Sequence, residues 1–238
     1  MSNEFSETIS DLVDANHILF NEQIVDGFGH VSARHPSRPD RMLISRSMAP
    51  ALVNADDIVE VDLNGEPIEA AGPKLYLERF IHSEIYRKRP DVQAVVHSHS
   101  ATLVQFGIVK GISLRPVCHM CGYLRETTPV FEIREVAGDG TDLLIRNSDL
   151  GRELATCLDS HAAVLMRGHG STVVGGSIRH AVFRAVYLER NARIQAEAMK
   201  MGEIISLTPE EAKAADEANS GQIDRAWDLW RLASETRR

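Results

Sequence analysis

Two histidines stand two residues apart at the end of an apolar run, in AVVHSHSATLV, residues 94–104. Side chains along a β-strand alternate faces, so His97 and His99 of such a strand point the same way. Two imidazoles on one face of a rigid strand can share one cation, because the strand has already ordered them. A third ligand is on offer in LMRGHGS, where His169 closes another apolar strand with a glycine on either side. Glycine lets a backbone approach a site closely and adopt positive φ. Three histidines with an open position form a catalytic zinc site, and the same set holds manganese, iron or cobalt. The plainer reading is a strand histidine satisfied by a hydrogen bond. H-x-H spacing also recurs by chance, so spacing alone leaves both readings open.

A carboxylate comes next. In KLYLERFIHSEIYRKRP, Leu77, Phe80, Ile81 and Ile85 fall on one helical face, and Pro90 ends the helix. Glu78 borders that stripe. Partial burial there raises a carboxylate pKa and readies it for proton transfer. The ordinary alternative is a surface ion pair with Arg79 or Lys74. His82 lies one turn further on, where it could pair with Glu78 or form a competing metal site.

The elements that must position these groups follow from the pattern. The first 24 residues carry apolar side chains at near-helical spacing, predicting one amphipathic helix or two short ones. DGFGHVSARHP is a turn into a strand, and RMLIS is a second strand. IVEVDLNGEPIEAAG alternates, with Asn64-Gly65 as a hairpin turn. VQAVVHSH is a buried strand and ATLVQFGI a short helix. LRPVCHMCGYL and TDLLIRN bracket further strands and turns. DLGRELATCLDS is a helix, HAAVLMRGHG a strand into a glycine turn, and SIRHAVFRAVYLERNARIQAEAMKMG a long helix. Gly138-Asp139-Gly140 and Gly175-Gly176 are turns. LTPEEAKAADEAN opens on an N-terminal cap at Thr208. Trp227 and Trp230 mark an amphipathic end that packs on the body or on a neighbouring subunit. Hairpin signals beside β-α-β alternation predict an α/β fold with a mixed sheet and helices on its faces.

Composition narrows the functions. With 238 residues, no linker and no repeat, the chain reads as a single domain over 1–238, with a helical C-terminal tail from about residue 205. The net charge of −8 without a basic cluster makes nucleic acid a poor partner. No apolar run approaches a transmembrane span, and the acidic, polar N-terminus is unlike a targeting peptide. These features place the protein in the cytoplasm, and three cysteines fit that compartment. Cys118 and Cys121 form one C-x-x-C, read as buried thiols rather than a zinc or redox pair.

Glu78, AVVHSH and LMRGHG, in that order, closely resemble the class II aldolase/adducin family. In its sugar-phosphate aldolases a catalytic Glu precedes the paired histidines by the same interval, and RPDVQAVVHSH is similar as well. The resemblance spans about residues 8 to 205. It implies a single α/β/α domain with a largely antiparallel central sheet, and a homotetramer with active sites between subunits. It further implies one divalent cation on His97, His99 and His169, with Glu78 as general acid/base that also touches the metal at rest.

The chain departs from the aldolases where they cradle phosphate. Their Gly-Asn-x-Ser turn is Gly29-His30-Val31-Ser32 here, their Thr-Gly is Ser47-Met48, and their paired serines are Tyr76 and Leu77. His119 or Met120 replaces an aldolase tyrosine. Losing those donors weakens a phosphate site. The substrate-binding set expected instead is His30, Ser32, Arg46, Ser47 and Tyr76, with Arg46 clamping a carboxylate and Arg115 nearby in sequence. Such a pocket resembles the decarboxylase branch of the family, which acts on 3,4-dihydroxyphthalate or 3-hydroxy-2-methylpyridine-4,5-dicarboxylate. The expectation is a metal-dependent decarboxylase of a small aromatic acid, with Glu78 or His119 moving the proton. A class II aldolase on a sugar-phosphate or hydroxy-keto acid is the alternative.

Overall fold

A computed structural model describes residues 3–69 and 72–236. Its strands are β1 (His30–Arg34), β2 (Arg41–Ser45), β3 (Ile58–Asp62), β4 (Ala94–Ser98), β5 (Val130–Phe131), β6 (Ala163–Met166) and β7 (Gly170–Gly175). They form a seven-stranded sheet in the order β3-β2-β1-β4-β7-β6-β5. Every neighbouring pair is antiparallel except β5 with β6. The helices are α1 (Asn3–Asn21), α2 (Arg79–Lys88), α3 (Ala101–Ile108), α4 (Arg134–Ala137), α5 (Ser148–Leu158), α6 (Ile178–Met201), α7 (Pro209–Ser220) and α8 (Ile223–Glu235).

Strand alternation builds two cores from one sheet. Val31, Ala33, Ala94 and Val96 face α1, α3, α6 and α8. Met42, Ile44, Val95 and Val164 face α2 and α5. His97 continues the face of Val95, and His30 and Ser32 of β1 share it, opposite Val31 and Ala33. Polar groups therefore sit inside the sheet–α2 layer at one end of the central strands. The mixed α/β/α sandwich expected from the sequence is what the chain adopts.

Several elements differ from expectation, each for a local reason. The second arm after Asn64-Gly65 is one bridge, Val61 to Pro67. Proline has no N–H with which to continue a ladder. Ala70 and Ala71 of that alternating stretch lie outside the described residues. Helix α2 starts at Arg79, because Lys74 and Tyr76 are tied to the loop after β2: the Ser47 amide donates to the Lys74 carbonyl, and the Tyr76 hydroxyl to that of Met48. Leu77 is consequently exposed. GSTVVG, without a strand expectation and with its Gly175 read as part of a turn, is β7 between β4 and β6, buried at every residue. TDLLIRN is a loop.

Thr208 caps α7 with a capping box. The tryptophans pack on the body: Trp227 is 1% exposed and Trp230 5%, both in the α1–α6 core. Trp227→Ala is expected to cost about 3–5 kcal/mol of unfolding free energy, as for other aromatic truncations in a core. Chemical denaturation measures it, and a loss below about 1 kcal/mol would mean the helix docks without that ring.

Candidate metal centre

Three elements converge at the sheet end. Strand β4 delivers His97 and, one residue past its end, His99. The β6–β7 turn delivers His169, with Gly168 at φ +67°. Its neighbour Gly170 passes so close to the Ser98 carbonyl that any Cβ would collide with it. The flanking glycines thus do what the sequence suggested. The loop before α2 delivers Glu78 at the N-cap position, rather than from the helical face expected. The positive end of a helix suits a carboxylate.

The imidazoles meet through their Nε2 atoms. His97 and His99 are 3.1 Å apart, and His99 and His169 3.0 Å. Glu78 Oε2 lies 3.6 Å from His97 Nε2 and 3.4 Å from His169 Nε2. The back of each of two rings is occupied: His97 Nδ1–H donates to the Ser171 carbonyl, 3.1 Å, and His169 Nδ1–H to that of Leu143, 2.8 Å. Leu143 holds its carbonyl there at φ +69°, a left-handed conformation costly for leucine by about 1–3 kcal/mol. The Ile145 amide donates to Glu78 Oε1, 2.9 Å. These backbone partners carry no side-chain signal, and sequence reading missed them all.

With Nδ1–H committed in His97 and His169, the neutral rings turn Nε2 lone pairs toward a common point beside a carboxylate. Lone pairs so close repel unless a proton or a cation lies between them; without a cation, a proton on His169 Nε2 bonds Glu78. Nitrogens about 2.0–2.1 Å from one ion stand roughly 3.0–3.4 Å apart at coordination angles of 90–109°. The four groups, whose ligand atoms all lie within 4.8 Å of one another, therefore suit a divalent cation.

The electrostatics correct one expectation. Burial alone would raise the Glu78 pKa, but the His169 hydrogen bond, the charges of His97 and His169 and the Ile145 amide outweigh it, taking the group down to about 2. Glu78 is a carboxylate at neutral pH, so it begins as a base. Neither Lys74 nor Arg79 pairs with it; Arg79 instead bonds the Gly65 carbonyl and lies over the Phe80 ring. Burial lowers the His97 and His99 pKa values. Burial also opposes the charge on His169, but Glu78 raises that pKa overall.

The remaining candidates are dispersed. His30 is buried beside the site, its ring centroid 5.0 Å from that of His97 and 4.6 Å from that of Tyr76. Ser32 does not face the site, being bonded to His82 and Tyr86 behind His30. His82 neither pairs with Glu78 nor competes for a metal, because its nitrogens are held by His30 and Ser32. The Tyr76 hydroxyl is tied to Met48 and Ser45. Arg46 is half-exposed and already paired with Asp57 at 2.6 Å, which weakens its expected role as a free carboxylate clamp. Ser47 is exposed. His119 lies outside the cluster, exposed on a 3-10 helix against α7, where its carbonyl accepts from Asn219. Arg115 is exposed too. Of the paired thiols, Cys121 is buried and bonds the Tyr187 carbonyl, whereas Cys118 is only half-buried.

A cleft of about 670 Å³ opens beside His99, lined also by His17, Ile24, Asp26 and Ala51. Phe28 is exposed, its ring centroid 6.4 Å from that of His99. Among the described residues no helix is long and apolar enough to cross a membrane.

Comparison with known proteins gives a consistent result. The Class II Aldolase and Adducin N-terminal domain family matches residues 10–196. Decarboxylase tropJ of Talaromyces stipitatus is 39% identical over 96% of this chain and 94% of that protein. A 3,4-dihydroxyphthalate decarboxylase of Arthrobacter keyseri is 28% identical over 90% of this chain and 88% of that protein. The crystal structure of an aldolase II superfamily protein from Pseudomonas syringae superposes with a TM-score of 0.80 at 23% identity, covering 99% of this chain and 95% of that one.

Proposed function

The chain belongs to the class II aldolase and adducin family, and from that premise we propose that it is a lyase, a divalent-metal-dependent decarboxylase of a hydroxylated aromatic dicarboxylate of the 3,4-dihydroxyphthalate type. The observation that carries the reading is the convergence of His97, His99 and His169 with an ionised Glu78, in a chain whose relatives include decarboxylases. The departures at His30, Met48 and Tyr76 weigh against a sugar-phosphate, and the exposed Phe28 ring near His99 suits a flat ligand.

His97, His99 and His169 would hold the cation. When bound, it supplies Lewis-acid stabilisation of negative charge developing on substrate oxygen. Glu78, a carboxylate beside those ligands, accepts the proton of the ring hydroxyl ortho to the departing carboxylate. It then returns that proton to the carboxylate-bearing ring carbon. The C–C bond to the carboxylate breaks, carbon dioxide leaves, and its electron pair restores the aromatic ring. Homotetrameric assembly belongs to the proposal, since His119 would reach a site only from a neighbouring subunit.

The test is turnover of metal-reconstituted protein on 3,4-dihydroxyphthalate, following carbon dioxide release and loss of one carboxylate. Release that chelation abolishes is expected. No release from the metal-loaded protein would reject this substrate and move the test to the pyridine dicarboxylate, then to retro-aldol cleavage of hydroxy-keto acids.

A further inference from the structure

Behind the candidate metal centre four buried side chains form a single hydrogen-bonded line. His30 Nδ1 is 2.6 Å from His82 Nε2, His82 Nδ1 is 2.6 Å from Ser32 Oγ, and Ser32 Oγ is 2.8 Å from the Tyr86 hydroxyl. None of the four is more than 3% exposed. Among the described residues, His82 and Ser32 have no side-chain partners outside the line, and His30 Nε2 is bonded to no protein atom. The His30 ring lies 4.6 Å from that of Tyr76 and 5.0 Å from that of His97, centroid to centroid, beside the candidate metal centre.

Counting protons gives the line a direction. Each neutral member has one proton to donate, and there are three links. If His82 carries its proton on Nε2, all three links are made and only the His30 Nε2–H is left over: Tyr86 donates to Ser32, Ser32 to His82 Nδ1, and His82 to His30 Nδ1. If His82 carries it on Nδ1, His30 Nδ1–H donates to His82 and His82 to Ser32. Ser32 and Tyr86 then have one link between them and two hydroxyl protons, so one buried O–H is stranded. A stranded buried donor is the costlier arrangement. Burial supports the neutral count. It raises the Tyr86 pKa, keeping the phenol protonated, and lowers that of His82 to about 3.

We propose that Tyr86, Ser32 and His82 are positioning residues that lock His30 in its Nε2–H tautomer, making it a fixed N–H donor to an anionic oxygen of the substrate. The proposal rests on the reading of the site as one that takes an aromatic carboxylate, and it deepens that reading. Of the expected substrate-binding set, with Arg46 paired to Asp57 and the Tyr76 hydroxyl tied to Met48, His30 is the buried donor left to hold a carboxylate or ring-hydroxyl oxygen. Ser32 thus acts through His30, without touching substrate.

Nitrogen-15 NMR of the metal-loaded protein, labelled at histidine, reads the tautomer without reference to turnover. His30→Gln identifies the His30 signals by their loss. A protonated Nε2 and a bare Nδ1 on His30 are expected, turning into a mixture of tautomers in Ser32→Ala. A protonated Nδ1 on His30 in the parent protein, or protons on both nitrogens, would overturn the proposal. An unchanged Nε2–H signal in Ser32→Ala would overturn the role of the line. The same variant should keep its full complement of metal and raise KM about tenfold, the size of one hydrogen bond to a charged partner, with little change in kcat. Ser32→Thr, which restores a hydroxyl, should recover both the tautomer and KM; recovery of neither would mean that Ser32 serves packing alone. Failure of turnover on every aromatic acid, with the Nε2–H signal intact, would reject the substrate assignment and leave the locked tautomer standing.

Discussion

His97→Ala protein is expected to lose both its metal and its turnover, with kcat falling at least about 10³-fold, since a Lewis acid supplies several kcal/mol and each 1.36 kcal/mol is a factor of ten. His97 is the most enclosed of the three candidate ligands. It is fully buried, its Nδ1–H is fixed on the Ser171 carbonyl of the adjoining strand, and its Nε2 is within reach of His99 and Glu78. Alanine there removes a ligand and opens a cavity between β4 and α2, so some loss of stability accompanies it. His99→Ala separates the two effects. His99 is only partly buried and lies past the strand, so its loss should take the metal with little cost in stability. Metal content by elemental analysis and unfolding by denaturant should be measured on both variants. Stoichiometric metal with full turnover in either would remove these histidines from the ligand set.

Glu78→Gln is expected to divide the site differently: metal retained, turnover down about 10²–10⁴-fold, the usual worth of a positioned general acid/base. Glutamine keeps the shape and an oxygen to accept from the Ile145 amide. It cannot take up the substrate proton. The loss should fall on kcat, because binding does not need the charge. Retained turnover would sink the assigned role, and simultaneous loss of metal would recast Glu78 as a ligand first. In metal-free protein the same carboxylate should contribute to stability. Its pKa is depressed from the usual 4.5 to about 2, so the contribution is present above pH 4.5 and is lost as pH falls towards 2.

The parts of this protein that were legible in the sequence are those governed by short-range rules. Strand alternation alone puts His97 and His99 on one side, and the glycines around His169 announce a tight turn. The Thr208 cap and the long periodic stretch of α6 follow from local backbone chemistry. So does the mixed character of the sheet, because hairpin signals and β-α-β alternation both appear in the chain. What the sequence could not supply is whatever depends on which segments become neighbours. Strand β7 carries small residues and two glycines, weak signals that only its place between β4 and β6 overrides. Glu78 was assigned to a helical face and to a raised pKa. Its cap position and its two imidazole neighbours reverse the pKa, and both are consequences of packing. Arg46 looked free until β3 brought Asp57 to it.

His30, His82, Ser32 and Tyr86 show the division most sharply. In the sequence His30 and Ser32 are separated from His82 and Tyr86 by about fifty residues, and nothing local links the pairs. The sequence by itself determined the candidate ligand types, the strand that leads to two of them and the family they fit. Only the tertiary structure decided which atoms of those residues face the site, because a side chain's tautomer, charge and partners are set by the dielectric and the donors around it, and those come from distant parts of the chain.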